Sequence, residues 1–179
     1  ISVFLPVYNE EPNILPLHAK LDEALNQLGR TAEIIYVDDG STDESRVMCD
    51  QIAAEDRRFK VYHIENGGAS LARKFGLEQA SGEFVSFMDC DDCIAVDYIK
   101  QLYALIVRHN TNISACRVQR IFNESEIPAK PEGRDQLLQF DELMPRFFKY
   151  EFWGFPAKLY KKSIFEKIAF PSATLSEDY

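Results

Sequence analysis

The sequence lacks any apolar run long enough to cross a membrane, and it shows no signal peptide. A membrane-spanning helix needs about 20 consecutive apolar residues, so we expect a domain that is soluble by itself. Cysteine is also scarce, and the four cysteines (Cys49, Cys90, Cys93 and Cys116) do not have the regular spacing of a disulfide framework. Reduced thiols are therefore predicted, and with them a cytoplasmic location.

Basic residues are fewer than acidic residues in this chain. The chain has 20 Lys and Arg residues against 29 Asp and Glu residues, which gives a net charge of −9. A nucleic-acid backbone or an anionic lipid surface would be repelled by such a protein, whereas a cation would be attracted. With 46% hydrophobic and 27% charged residues in 179, the composition is that of one globular domain.

Both ends of the sequence look interrupted. It begins inside an apolar run at Ile1, without Met, and it stops at Tyr179 without a closing element. We therefore expect a piece of a longer protein, truncated at its C-terminus. The missing part could attach the protein peripherally to the inner face of the cell membrane.

Short apolar runs alternate with amphipathic stretches, which is the pattern of βαβ units around a largely parallel sheet. The predicted fold class is accordingly α/β, a three-layer α/β/α sandwich. Ser41 and Glu44 have the spacing of a capping box, which predicts that a helix opens there. Predicted strands cover residues 2–7, 33–37, 60–64, 83–88 and 113–118, and further helices cover 14–28, 68–80, 97–108 and 140–150.

Acidic residues follow three of the predicted strands. In a parallel sheet the carboxyl ends of the strands meet at one edge, where ligands bind. An aromatic ring and a set of carboxylates would meet there: Tyr8, Glu10, Asp38, Asp39, Asp89, Asp91 and Asp92. Carboxylate oxygens together with substrate phosphates are the usual ligands of Mg²⁺ or Mn²⁺. The sequence therefore predicts a divalent cation, Mn²⁺ or Mg²⁺, and a phosphate-bearing substrate.

Four motifs occur in a characteristic order: Val-Tyr-Asn-Glu, Val-Asp-Asp-Gly-Ser-Thr-Asp, Asn-Gly-Gly-Ala-Ser-Leu-Ala-Arg, and Ala-Ser-Gly-Glu-Phe-Val-Ser-Phe-Met-Asp-Cys-Asp-Asp. Over nearly the whole chain this order resembles family 2 glycosyltransferases with the GT-A type fold. The resemblance implies metal-assisted, inverting transfer of a sugar from a nucleoside diphosphate, with UDP favoured, to a hydroxyl of a glycan or lipid-linked acceptor. It also implies a role in cell-surface polysaccharide or glycan assembly, and one catalytic domain with a nucleotide-binding part at 1–118 and an acceptor-side part at 119–179.

The resemblance also implies roles for individual residues. Asp91 would bind the metal directly, and Asp89 would reach the ribose or the metal through water. Asp178 would be the general base for the acceptor hydroxyl, while Asp92 and Trp153 would lie on the acceptor side. The residues implied in nucleotide binding are Pro6, Tyr8, Glu10, Asp38, Asp39, Arg73 and Asp89.

Three other classes of function remain open. Cys90 and Cys93 form a Cys-x-x-Cys after a strand, as in a thiol oxidoreductase. A sugar nucleotidyltransferase would share the nucleotide and metal chemistry, but the first strand lacks a glycine-rich phosphate loop with an Arg. A non-catalytic module could bind the nucleotide sugar without a working base. The histidines His18, His63 and His109 are scattered, and we expect them to be structural or exposed.

Overall fold

The computed structural model describes residues 1–118, 135–148, 154 and 156–167. Within these residues, no helix combines the length and the apolar character that crossing a membrane requires. The elements in chain order are β1 Ser2–Val7, α1 Glu11–Leu28, β2 Glu33–Asp38, α2 Ser45–Glu55, β3 Phe59–His63, α3 Ala69–Gln79, β4 Phe84–Phe87, α4 Tyr98–His109, β5 Ile113–Ala115, α5 Phe140–Phe148, β6 Lys158–Lys161 and a 3₁₀ helix Lys162–Lys167.

The six strands form one mixed sheet in the order β3-β2-β1-β4-β6-β5. The four strands from β3 to β4 run parallel, as predicted. β6 pairs antiparallel with β4 on one side and with β5 on the other. The sequence analysis did not predict β6, because its four residues begin and end with lysine and contain no apolar run.

Apolar cores cover both faces of the sheet. On β1, Val3 and Leu5 point to the face that carries α1 and α2, and Phe4 points to the opposite face with α3. This alternation follows from the two-residue period of a strand. Because helices cover both faces, the central strands are buried throughout and appear in the sequence as continuous apolar runs. The predicted three-layer α/β/α arrangement is confirmed.

The helix predicted to open at Ser41 begins instead at Ser45. The capping-box prediction is therefore wrong. Asp43 accepts a hydrogen bond from the backbone N–H of Ser45 at 3.0 Å, while the hydroxyl of Ser41 accepts one from the backbone N–H of Asn9 at 3.0 Å. Ser41 is occupied by a neighbouring loop and does not cap the helix.

Candidate functional site

The ends of β1, β2 and β4 lie side by side at the carboxyl edge of the sheet. Val7 of β1 is in register with Asp38 of β2, and the N–H of Asp39 donates to the carbonyl of Val7 at 2.8 Å. On the other side, the N–H of Met88 donates to the carbonyl of Phe4 at 3.2 Å. The three acidic loops predicted to meet therefore follow adjacent strands.

Asn9 ties the first loop to the second. Its backbone has a φ of 56°, a left-handed conformation that Asn tolerates better than most residues. In that conformation its side-chain oxygen accepts from the backbone N–H of Thr42 at 2.8 Å. Tyr8, the preceding residue, is 51% exposed and presents its ring at the edge. The sequence analysis gave Asn9 no role of its own, although an Asn two residues after the end of a strand is suited to such a turn.

Asp39 connects the end of β2 to the start of α3. The residue is only 3% exposed, and its two carboxylate oxygens accept from the backbone N–H groups of Gly67 and Gly68, each at 2.8 Å. Gly40, with a φ of 77°, lies against Asn66, so that a Cβ there would be 3.1 Å from the Asn66 nitrogen. A carboxylate has about four acceptor sites, which leaves Asp39 able to accept from a ligand as well.

Asp38 is the more deeply buried of the two aspartates, at 1% exposed. One oxygen accepts from the backbone N–H of Ser41 at 3.0 Å, and the other lies 2.9 Å from Nδ1 of His63. Burial raises the pKa of Asp38, but the hydrogen bonds from Ser41 and His63 together outweigh it and hold the pKa below its usual value. Asp38 is therefore ionised at neutral pH and supports the turn that leads to Asp39.

Arg73 of α3 reaches across to the loop after β4. It is 6% exposed, so it is not a surface arginine, and its Nη2 donates to Oδ1 of Asp89 at 2.6 Å. The sequence placed both residues near a nucleotide but did not predict that they pair. One oxygen of Asp89 is thus committed to the guanidinium.

Asp91 and Asp92 are exposed beside Asp89. Although Asp92 is exposed as a residue, its carboxyl is partly desolvated, and this desolvation together with the negative charges of Asp89 and Asp91 raises the pKa of Asp92. Three neighbouring carboxylates with one arginine leave negative charge that a cation would neutralise.

The carboxylates fit a metal that shares its ligands with a substrate. Among the residues that the structure describes, no three His, Cys, Asp or Glu side chains converge to hold an ion by themselves. Mg²⁺ and related ions are commonly held by one or two carboxylates plus substrate phosphates. Asp91 and Asp89 carry carboxylate oxygens of the kind that such an ion accepts.

The Cys90 and Cys93 pair does not have the features of a redox site. Both are free thiols. Cys90 is buried, and its Sγ donates to the carbonyl of Pro6 at 3.3 Å. Burial raises the pKa of Cys90 far above its usual value, whereas a reactive cysteine needs a lowered one.

Two further residues of the predicted site, Trp153 and Asp178, lie outside the described residues.

Comparison with known proteins decides the family. The sequence profile described as "Glycosyl transferase family 2" matches residues 2–169. This chain belongs to glycosyl transferase family 2. The resemblance seen in the order of the four motifs is confirmed.

Several family 2 proteins are similar over almost all of this chain. Glycosyltransferase GlyA of Streptococcus pneumoniae serotype 4 is 35% identical, over 99% of this chain and 27% of GlyA. Glycosyltransferase GlyG of the same organism is 30% identical, over 99% of this chain and 62% of GlyG. The crystal structure of S. aureus TarS 1–349 matches with a TM-score of 0.71 at 26% identity, covering 92% of this chain and 48% of TarS 1–349.

These matches confirm the GT-A type fold. They also show that the chain spans less than two thirds of each of these three family 2 proteins.

Proposed function

We propose that this family 2 domain binds a nucleoside diphosphate sugar together with Mn²⁺ or Mg²⁺ and transfers the sugar to an acceptor hydroxyl. The arrangement at the carboxyl edge carries the proposal. There Arg73 holds Asp89 by a hydrogen bond of 2.6 Å, and Asp91 two residues later is exposed. A fixed carboxylate beside an accessible one suits a metal that is shared with a diphosphate.

The nucleotide would lie between Tyr8 and Asp39. The exposed ring of Tyr8 suits stacking on a base, and the remaining acceptor capacity of Asp39 suits a ring N–H such as that of uracil. Pro6, Glu10 and Asp38 would shape the floor of this site. Glu10 is fixed by Asn13, whose side-chain nitrogen donates to Oε2 of Glu10 at 2.6 Å. UDP is therefore the first nucleotide to test.

Asp91 and Asp89 would hold the metal ion. When bound, the ion would neutralise negative charge on the diphosphate leaving group as a Lewis acid. The remaining oxygen of Asp89 is available either to the ribose or to a water on the metal, because Arg73 occupies only Oδ1.

The reaction we propose is a single displacement with inversion at the sugar C1. The acceptor oxygen forms a bond to C1 while the bond from C1 to the diphosphate oxygen breaks, and that electron pair leaves with the nucleoside diphosphate. The proton of the acceptor hydroxyl passes to a carboxylate, the role proposed for Asp178. Asp92 and Trp153 would line the acceptor side, and a cell-surface glycan or a lipid-linked sugar is the proposed acceptor.

Calorimetric titration of the domain with UDP, GDP and dTDP tests the donor site. Each nucleotide is titrated with Mn²⁺ and again with excess chelator, into the wild type and into Asp91→Ala. We expect one nucleotide to bind, only with Mn²⁺, and the substitution to abolish the metal-dependent part. Glu83→Ala is the control, since Glu83 is an exposed acid just before β4, at the opposite edge of the sheet.

Each other outcome has a definite meaning. Equal affinity with and without chelator would remove the metal from the proposal, and no binding of any nucleotide would refute the donor site. Donor binding without any transfer by the full-length protein would point instead to a nucleotide-sugar binding module.

A further inference from the structure

His63, the last residue of β3, bridges two carboxylates. Its Nδ1 lies 2.9 Å from Oδ2 of Asp38 on β2, and its Nε2 lies 3.0 Å from Oδ1 of Asp50 on α2. The two partners differ in environment, because the Asp38 side chain is 1% exposed and that of Asp50 is 59% exposed. The histidine therefore links a buried acid beneath the nucleotide site to an exposed acid on a helix.

Counting donors and acceptors shows what this bridge requires. An ionised carboxylate only accepts hydrogen bonds, and a neutral imidazole has one N–H, whereas an imidazolium has two. Only the doubly protonated ring can therefore donate to both acids. A neutral ring serves one acid and turns a lone pair toward the other, and Asp50 is the partner that can turn to water instead.

Other titratable groups surround the bridge. Asp38, Asp50 and Asp43, which comes just before α2, all lie within electrostatic range of Cys49 of α2. Burial, followed by these three acids, raises the pKa of Cys49 to about 12, so this thiol is neutral. His63 is thus the group on β3 that contacts Asp38 directly.

The bridge leads directly to the nucleotide site. The other oxygen of Asp38 accepts from the N–H of Ser41 at 3.0 Å, and the Ser41 hydroxyl accepts from the N–H of Asn9 at 3.0 Å. Asp39, between Asp38 and this turn, accepts from Gly67 and Gly68. We propose that His63 is a positioning residue for nucleotide binding: its Nδ1, 2.9 Å from Asp38, fixes that carboxylate, and through Asp38 the turn that carries Asp39. This rests on the proposed function.

Two readouts test the inference. The first is amide hydrogen exchange at Ser41 in the nucleotide-free protein, where His63→Phe should accelerate exchange at least about tenfold by removing the donor that holds Asp38. The second is calorimetric affinity for UDP with Mn²⁺. His63→Phe should weaken UDP binding at least about tenfold.

Matched variants separate positioning from folding. His63→Gln keeps one N–H donor for Asp38 and should recover most of the UDP affinity and of the Ser41 protection that His63→Phe loses. Asp50→Ala removes only the outer acceptor and leaves the contact with Asp38 in place, so it should bind UDP nearly as tightly as the wild type. Glu55→Ala, which removes an exposed acid from the same helix, should also bind UDP as the wild type does.

The outcomes distinguish this inference from the proposed function. Unchanged Ser41 exchange in His63→Phe would overturn the inference whatever binds, and so would a His63→Gln variant that binds UDP no better than His63→Phe. Accelerated exchange in a protein whose wild type binds no nucleotide would refute the proposed function and leave the link from His63 to Ser41 intact.

Discussion

Asp38 and Asp39 are neighbours in sequence, but their carboxylates serve opposite layers of the fold. Successive residues of a strand point to opposite faces, and this alternation continues past the end of β2. Asp38 meets His63, which is linked to α2, and Asp39 meets Gly67 and Gly68 at the start of α3. The paired acids therefore join the end of one strand to helices on both sides of the sheet.

Asp39→Asn tests the contact with α3. An amide has one oxygen and one NH₂ group, so one of the two glycine N–H groups loses its acceptor and faces a donor. We expect a loss of about 1–3 kcal/mol in the free energy of unfolding, because a buried donor is left unsatisfied. Urea unfolding measures this loss, and calorimetry should show weaker nucleotide binding.

Glu65→Gln is the control for Asp39→Asn. Glu65 is an exposed acid two residues before Gly67, and changes at such surface positions usually stay within about 0.5 kcal/mol. If the two variants proved equally stable, the hydrogen bonds of Asp39 to the glycines would have no energetic importance.

At the scale of elements, the four parallel strands could be predicted, whereas β6, which pairs antiparallel with β4 and β5, could not. β1 to β4 are predicted to within one residue at either end. The apolar runs of β1, β2 and β4 are almost continuous, whereas β3 is an edge strand in which only Phe59 is buried. β6 begins with Lys158, whose ammonium turns back to the carbonyls of Gly154 and Pro156 at 2.8 and 3.1 Å. A lysine that becomes buried by bonding to its own turn does not look like a strand residue in the sequence.

The site was predictable to the same limited extent. Strand order places Tyr8, Asp39 and Asp91 at one edge, because consecutive βαβ units leave the carboxyl ends together. The pairing of Arg73 with Asp89 depends on the direction in which α3 turns its side chains, and a sequence pattern does not contain that direction. Strand order likewise does not predict the links that Asn9 makes between loops.

Gly76→Ala tests the packing of α3 against β1. A Cβ at Gly76 would lie 2.9 to 3.1 Å from side-chain atoms of Phe4, and the Phe4 ring is itself buried against Phe87 with centroids 4.3 Å apart. Alanine favours a helix over glycine by up to about 1 kcal/mol, but overpacking a core costs about 1–3 kcal/mol. We expect a net loss of stability in urea unfolding.

A double-mutant cycle identifies the cause of that loss. Phe4→Leu removes the ring that the new methyl group would meet, so the double variant should lose less stability than the sum of the two single variants. Additive losses would show that the ring is not what excludes a side chain at Gly76.

At the scale of the whole molecule, the two polar edges of the sheet have opposite character. The carboxyl edge has acids in excess of basic partners, whereas Glu33 at the amino edge is fully engaged. Its Oε1 accepts from the Ser2 hydroxyl at 2.5 Å and from the N–H and hydroxyl of Ser81 at 2.7 and 2.8 Å, while Oε2 accepts from Lys60 at 2.6 Å. The carboxyl edge is therefore available to bind ligands, whereas Glu33 at the amino edge links the starts of three strands.

The pH dependence of stability should report the contribution of Glu33 at the amino edge. Burial raises the pKa of Glu33, but the hydrogen bonds from Lys60, Ser2 and Ser81 outweigh it and lower the pKa to about 2. A glutamate in the unfolded chain has a pKa of about 4.3. The stabilisation from ionised Glu33 is therefore complete above about pH 4.3 and disappears as the pH falls towards about 2. A difference of that size corresponds to about 3 kcal/mol.

Glu33→Gln isolates this contribution from that of the other acids. Urea unfolding of both proteins at several pH values should give a wide stability gap at pH 7 that narrows between about pH 4.3 and pH 2, because only the wild type gains a proton at this position on unfolding. Glu55→Gln, at an exposed site on α2, should show no such gap. If the difference in stability between the wild type and Glu33→Gln stayed constant down to about pH 2, the shape or donor geometry of the amide would be its cause. The charge of Glu33 would then not be what stabilises the amino edge.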